Sequence, residues 1–112
     1  MKPFLASIML AAIATTTAVA HECSEDAKRR AMPLLALHFE VEPGGDTSSF
    51  GIADEVTQLA PVKSLRGNGR FDVLEVWGYI YKAEYRMRFL YAQIPGSCVL
   101  MGQEILEASD PY

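Results

Sequence analysis

Two cysteines, two histidines and one tryptophan are all that the 112 residues contain of these types, and each scarcity closes off a class of function. Cys23 and Cys98 do not form a Cys-x-x-Cys pair, so a thioredoxin-type redox motif is absent, and a zinc site would need two further ligands. Basic residues fall short of acidic ones, ten against fourteen, which disfavours nucleic acid and anionic membrane surfaces as partners. No apolar run reaches the roughly 20 residues needed to span a bilayer. There is no internal repeat and no low-complexity tract. Catalytic motifs are missing too: Ser48, Ser49 and Ser64 have no partner motif, and Gly67-Asn68-Gly69 is too short for a phosphate loop. Glu75, Glu84, Glu104 and Glu107 read as single solvated carboxylates. The expectation is a protein that is not an enzyme and needs no cofactor or metal.

What is present begins at the N-terminus. Lys2 supplies a positive charge, and Phe4 to Ala14 form an apolar stretch too short for a bilayer-spanning helix. Ala18-Val19-Ala20 then offers small residues where signal peptidase requires them. Residues 1–20 are read as a signal peptide cleaved after Ala20, and residues 21–112 as one small domain. A lipoprotein is rejected because Ala20-His21-Glu22 lacks the apolar and small residues expected ahead of a lipidated Cys23. Cleavage leaves 92 residues and removes Lys2, so nine basic residues face fourteen acidic ones, a net charge of −5 with histidine neutral. The expected location is periplasmic or secreted, with no stable membrane anchor after cleavage.

In an exported chain an isolated cysteine pair most often forms one disulfide. Cys23 and Cys98 lie 75 residues apart, and closing such a loop is worth about 4 to 5 kcal/mol on chain-entropy grounds. A 92-residue domain has about 5 to 10 kcal/mol of net stability, so the bridge supplies a large share.

Ser24 followed by Glu25 and Asp26 resembles a helix start, with a capping hydroxyl and two acids where the helix dipole favours them. Ala27, Ala31, Leu34, Leu35 and His38 recur at helical spacing behind Cys23. Pro33 predicts a kink or a break into two pieces, ending near Phe39. Glu42 to Asp46 is a breaker, and residues 46–54 read as an irregular connection or one with a short edge strand. Residues 55–65 suit either a helical turn or a strand, with Pro61 excluding a central strand. An Asn-Gly turn at 68–69 precedes three strand-like runs, Phe71–Lys82, Tyr85–Ile94 and Cys98–Glu107, with a tight turn at Pro95-Gly96.

The densest aromatic and cationic stretch is VWGYIYKAEYRMRF, residues 76–89. With Ala83-Glu84 as the turn, paired residue numbers sum to 167. Leu74, Val76, Gly78, Ile80, Met87, Phe89 and Tyr91 then share an apolar face that should pack under the helix, Gly78 opposite bulky Phe89. Trp77, Tyr79, Tyr81, Arg86 and Arg88 share the other face and form the candidate binding surface, Tyr79 paired with Arg88 and Tyr81 with Arg86. The plain alternative is that these pairs only hold the hairpin together, or that residues 46–65 fold over the face and bury Trp77.

His21, at the mature N-terminus, and His38 suggest a two-histidine copper site, because an α-amine and two imidazoles suit Cu(II). A helix between them sets them too far apart, since Cys23 and His38 alone are separated by about 22 Å along its axis. The expected architecture is therefore α+β: an N-terminal helix on an antiparallel meander of three or four strands, stapled by one disulfide. That element order is similar to the helix-over-meander arrangement of cystatin-like folds and implies no residue role. The expected function is binding another protein, as an inhibitor or as an accessory subunit of an envelope complex. The alternatives are a small-ligand carrier with a pocket between helix and sheet, and an enzyme whose site forms only in three dimensions.

Overall fold

The computed structural model describes residues 20–112 and Pro3. The expected signal peptide therefore lies almost entirely outside the described residues. Element order is α1 (Ser24–His38), β1 (Phe50–Lys63), β2 (Arg70–Ile80), β3 (Ala83–Ala92) and β4 (Leu100–Glu107). The four strands form one antiparallel sheet in the order β1-β2-β3-β4. The helix lies across one face of it, and the α+β expectation holds.

Helix α1 starts from a different cap than expected. Cys23 takes the N-cap position without a side-chain cap bond, and Ser24 is the first helical residue. The disulfide fixes residue 23 in place, with Cys23–Cys98 Cα atoms 5.6 Å apart, and the freed Cys23 N–H is taken by His21 Nδ1 at 3.0 Å. Glu25 and Asp26 occupy the first turn as the dipole favours. The helix runs unbroken through Pro33, which lies on the exposed side and leaves the Arg29 carbonyl without its usual helical donor. At the C-terminus, Val41 N–H donates to Ala36 O and Glu40 N–H to Leu37 O, both at 3.0 Å. With Glu40 at φ +55°, that is a Schellman closure. His38 is exposed rather than on the buried stripe, with its ring near Phe39 and Tyr85.

Cys23, Ala27, Ala31, Leu34 and Leu35 meet Leu74, Val76, Tyr85, Met87, Phe89 and Tyr91 in a single core. Small Ala27 and Ala31 let the helix sit low on the sheet, and each large side chain buried there contributes about 1.5 to 3 kcal/mol. Tyr91 is fully buried, so its hydroxyl needs a partner; it donates to Asp26 Oδ2 at 2.8 Å. Asp26 also accepts from Arg30 Nε at 2.7 Å and from Arg29. Burial alone would push the Asp26 carboxyl up, but the bonds from Arg30, Tyr91 and Arg29 outweigh it and hold it below the usual carboxylate range. Burial and then Asp26 push the Tyr91 phenol well above its ordinary value.

Two local expectations need correction. Residues 50–63 take the strand alternative: the irregular connection and the helical turn are overturned, and the edge strand is longer than expected, 14 residues. Register shifts between Ile52/Val56 and Leu59/Val62 break its pattern, and Pro61 is tolerated because β1 is an edge. The central hairpin turns at Tyr81-Lys82, so Ile80 faces Ala83 and paired numbers sum to 163, not 167. The faces survive, since the shift is even, but the partners change: Gly78 faces Tyr85, Trp77 faces Arg86 and Glu75 faces Arg88. Charge explains the preference, because the expected register would have set Glu75 against Ala92 with no cation opposite. The β1–β2 connection spans residues 64–69, with its positive φ at Gly67 (+72°) rather than at the Asn-Gly step. The Pro95-Gly96 turn is as expected, with Gly96 at φ +79° and Ser97 N–H donating to Ile94 O at 3.1 Å.

Candidate functional site

The helix covers one sheet face, and among the described residues neither a second helix nor a further strand packs on the other. Residues 46–65 go to the lead-in to β1 and to β1 itself, and Val73 on the outer side is only 3% exposed. Strand pairing arranges this outer face in cross-strand rows. Leu59, Val73, Leu90 and Gly102 make an apolar row. Thr57, Glu75, Arg88 and Glu104 make a charged one. Trp77, Arg86 and Leu106 follow, and Tyr79 beside Glu84 lies beyond them.

The charged row is tightly bonded. Glu75, whose side chain is 12% exposed, accepts from Arg88 Nε at 2.9 Å and from the Trp77 indole Nε1–H at 3.1 Å. Arg86 Nε lies 4.0 Å from the same carboxylate and is buried without a hydrogen-bond acceptor. Arg86 Nη2 reaches Glu104 Oε1 at 3.4 Å, and Arg88 Nη1 lies 3.7 Å from it. Two guanidiniums thus alternate with two carboxylates across β2, β3 and β4. Such a partly covered network holds its side chains in fixed rotamers more firmly than isolated surface pairs do.

Of the five predicted site residues, Trp77, Tyr79, Arg86 and Arg88 share the outer face, and Trp77 is half-buried among its neighbours. The predicted stacking of Tyr79 on Arg88 and of Tyr81 on Arg86 does not occur, because the arginines turn to Glu75 and Glu104. Tyr81 instead occupies the hairpin turn, 88% exposed at φ +54°, with Lys82 Nζ 5.6 Å from its ring centroid. Sequence reasoning read Glu75 and Glu104 as single solvated carboxylates and missed that they hold the arginines. Alternation placed Glu75 beside Trp77, but only the register shows which cations meet it.

A second polar cluster sits where the chain enters the helix. His21 Nε2–H donates to Asp72 Oδ2 at 2.9 Å, a tautomer fixed by Nδ1 accepting the Cys23 N–H. Gln93 Nε2 donates to the other Asp72 oxygen at 2.9 Å. The bonds from His21 and then Gln93 hold the Asp72 carboxyl below its ordinary range. His38 stands at the opposite end of α1, so the two histidines are not brought together. Among the described residues no group of three or more His, Cys, Asp or Glu side chains converges as a metal site would require. No helix among them is long and apolar enough to cross a membrane.

Comparison with protein-family models, with curated proteins and with solved structures finds no match to this chain.

Proposed function

We propose that the protein is an exported binding module, periplasmic or secreted, whose outer sheet face docks on another protein. The observation that carries this reading is the uncovered face itself. An indole and two guanidiniums are held on a four-stranded sheet by bonds and ion pairs to Glu75 and Glu104, so little side-chain order remains to be imposed on binding. The disulfide fits an oxidising compartment. Tyr81 adds support: an almost fully exposed aromatic occupies a backbone position that glycine fills at lower cost, and such strain gathers at functional sites.

A carrier with a ligand between helix and sheet has less support, since Leu35, Val76, Met87 and Phe89 fill that space without residual exposure.

The test separates stability from binding. Replacing Tyr81 by Gly relieves the positive φ and should raise stability by about 1 kcal/mol in urea unfolding. The same change, and Trp77→Ala, should weaken capture of the partner that wild-type protein retains from an envelope extract. Iodide should quench Trp77 fluorescence partly in the free protein and much less in the complex. Equal capture by wild type and by both variants would overturn the reading.

A further inference from the structure

Among the described residues the sheet has two free edges, and they are built differently. β1 makes a poor template for another strand, because Pro61 lacks an N–H and two register shifts bend the chain. β4 holds no proline, and its pairing with β3 is regular from Gly102 to Glu107. Ala108 N–H donates to Glu84 O at 2.8 Å, which sets the phase of the ladder. The even-numbered residues of β4 therefore bond β3, and antiparallel alternation turns the N–H and C=O of Gln103, Ile105 and Glu107 outward. Beside this edge, on the helix side, Gln103 borders an open cleft of about 380 Å³ whose other wall includes Arg29, Arg30, Pro33 and Leu37.

We propose that β4 pairs with β4 of a second copy of this chain, antiparallel about a two-fold axis at Gln103, to give one continuous eight-stranded sheet. Centred there, residues 102–104 of both copies pair in the regular part of β4, and residues 100 and 101, beyond the register shift against β3, face 106 and 105. A register centred on Glu104 would set two carboxylates face to face, which destabilises a sheet. One centred on Ile105 would pair residues 100–102 with residues 108–110, beyond the end of the strand.

Charge favours the same register. Glu107 pairs with Tyr85 and so points to the helix side. The Gln103-centred axis carries Glu107 of the second copy to the level of residue 99, at the end of β4 where Tyr91 reaches Asp26. Arg29 and Arg30 share that single carboxylate, leaving one positive charge at the lip without a counter-ion among the described residues. Leu37, 69% exposed on the same lip, then faces the added strand instead of water. The outer face stays open on both copies, so this pairing stands independently of the docking surface proposed above.

Sedimentation of the oxidised protein should give twice the chain mass at tens of micromolar. Gln103→Pro removes an outward N–H and no bond to β3, so it should leave the circular dichroism intact and weaken dimerisation by about tenfold or more. Arg29→Glu and Glu107→Arg should each weaken it, and the two combined should restore it. Facing residues in such a ladder have Cα atoms about 5.5 Å apart, within disulfide range. Gln103→Cys should therefore cross-link spontaneously into a dimer, whereas Ser48→Cys on an exposed loop should not. If Gln103→Pro fails to fold, the cross-link decides. A monomer at every concentration would overturn the proposal. So would a dimer that neither weakens with Gln103→Pro nor cross-links through Gln103→Cys, because it would form through another face.

Discussion

Gly78 on β2 lies directly beneath Leu35 of α1: a Cβ added to Gly78 would stand 3.1 Å from Leu35 Cδ2 and 2.8 Å from Met87 Cε. The helix rests on the sheet here because one residue of the strand has no side chain.

Filling that contact should therefore lift the helix. Gly78→Ala requires Met87 and Leu35 to yield, and Gly78→Val requires more of them, against a small gain in strand propensity. The expected loss is about 1 to 3 kcal/mol, larger for Val. Urea unfolding followed by circular dichroism measures it, and a Val variant as stable as the wild type would show that the core yields freely.

Opening the disulfide tests the other end of the helix. Thiol titration of the denatured protein should find no free cysteine. Replacing Cys23 and Cys98 together by Ser should lower stability by about 2 to 5 kcal/mol, read as a lower urea midpoint. An unchanged midpoint would mean that helix packing alone holds residue 23 in place.

Acid should unfold the protein through two carboxyls. Asp72, by its bonds from His21 and Gln93, and Asp26, by those from Arg30, Tyr91 and Arg29, are both held below their ordinary range. Their contribution is complete above the unfolded carboxylate value of about 3.9 and is lost as pH falls from there through the lowered folded values. Thermal melts between pH 6 and pH 2 should show the decline beginning near pH 4. Asp72→Asn should lower stability at pH 6 and flatten the acid limb. An acid limb unchanged by Asp72→Asn would remove Asp72 from the account.

How far the fold could be read from the chain depended on which forces were local. Alternation separated Val76, Met87 and Phe89 from Trp77, Arg86 and Arg88, and an even register error could not mix those faces. Helical spacing found Ala27, Ala31, Leu34 and Leu35, and the lone cysteine pair gave the staple. Register was harder, because it depends on which charges meet across strands: Glu75 facing Arg88 outweighs any preference of the turn residues, even with Tyr81 placed at a positive φ. β1 was obscured by its own irregularity, since the residues opposite Trp77 and Asp72 break the period of two and Pro61 reads as an interruption. On the candidate face, Trp77, Tyr79, Arg86 and Arg88 were legible as a set. The acids that hold the arginines were not, since a carboxylate on a strand gives no sign of its partner.

The disulfide also decides how the molecule bears load. Tension applied between the two ends of the chain passes from Cys23 to Cys98 through a covalent bond, so α1, β1, β2 and β3, all lying between these residues, are bypassed. What remains in the line of force is β4, from Leu100 to Glu107, which already lies extended between its two ends, so tension finds almost no slack to release there. The fold between the two cysteines is shielded from strain.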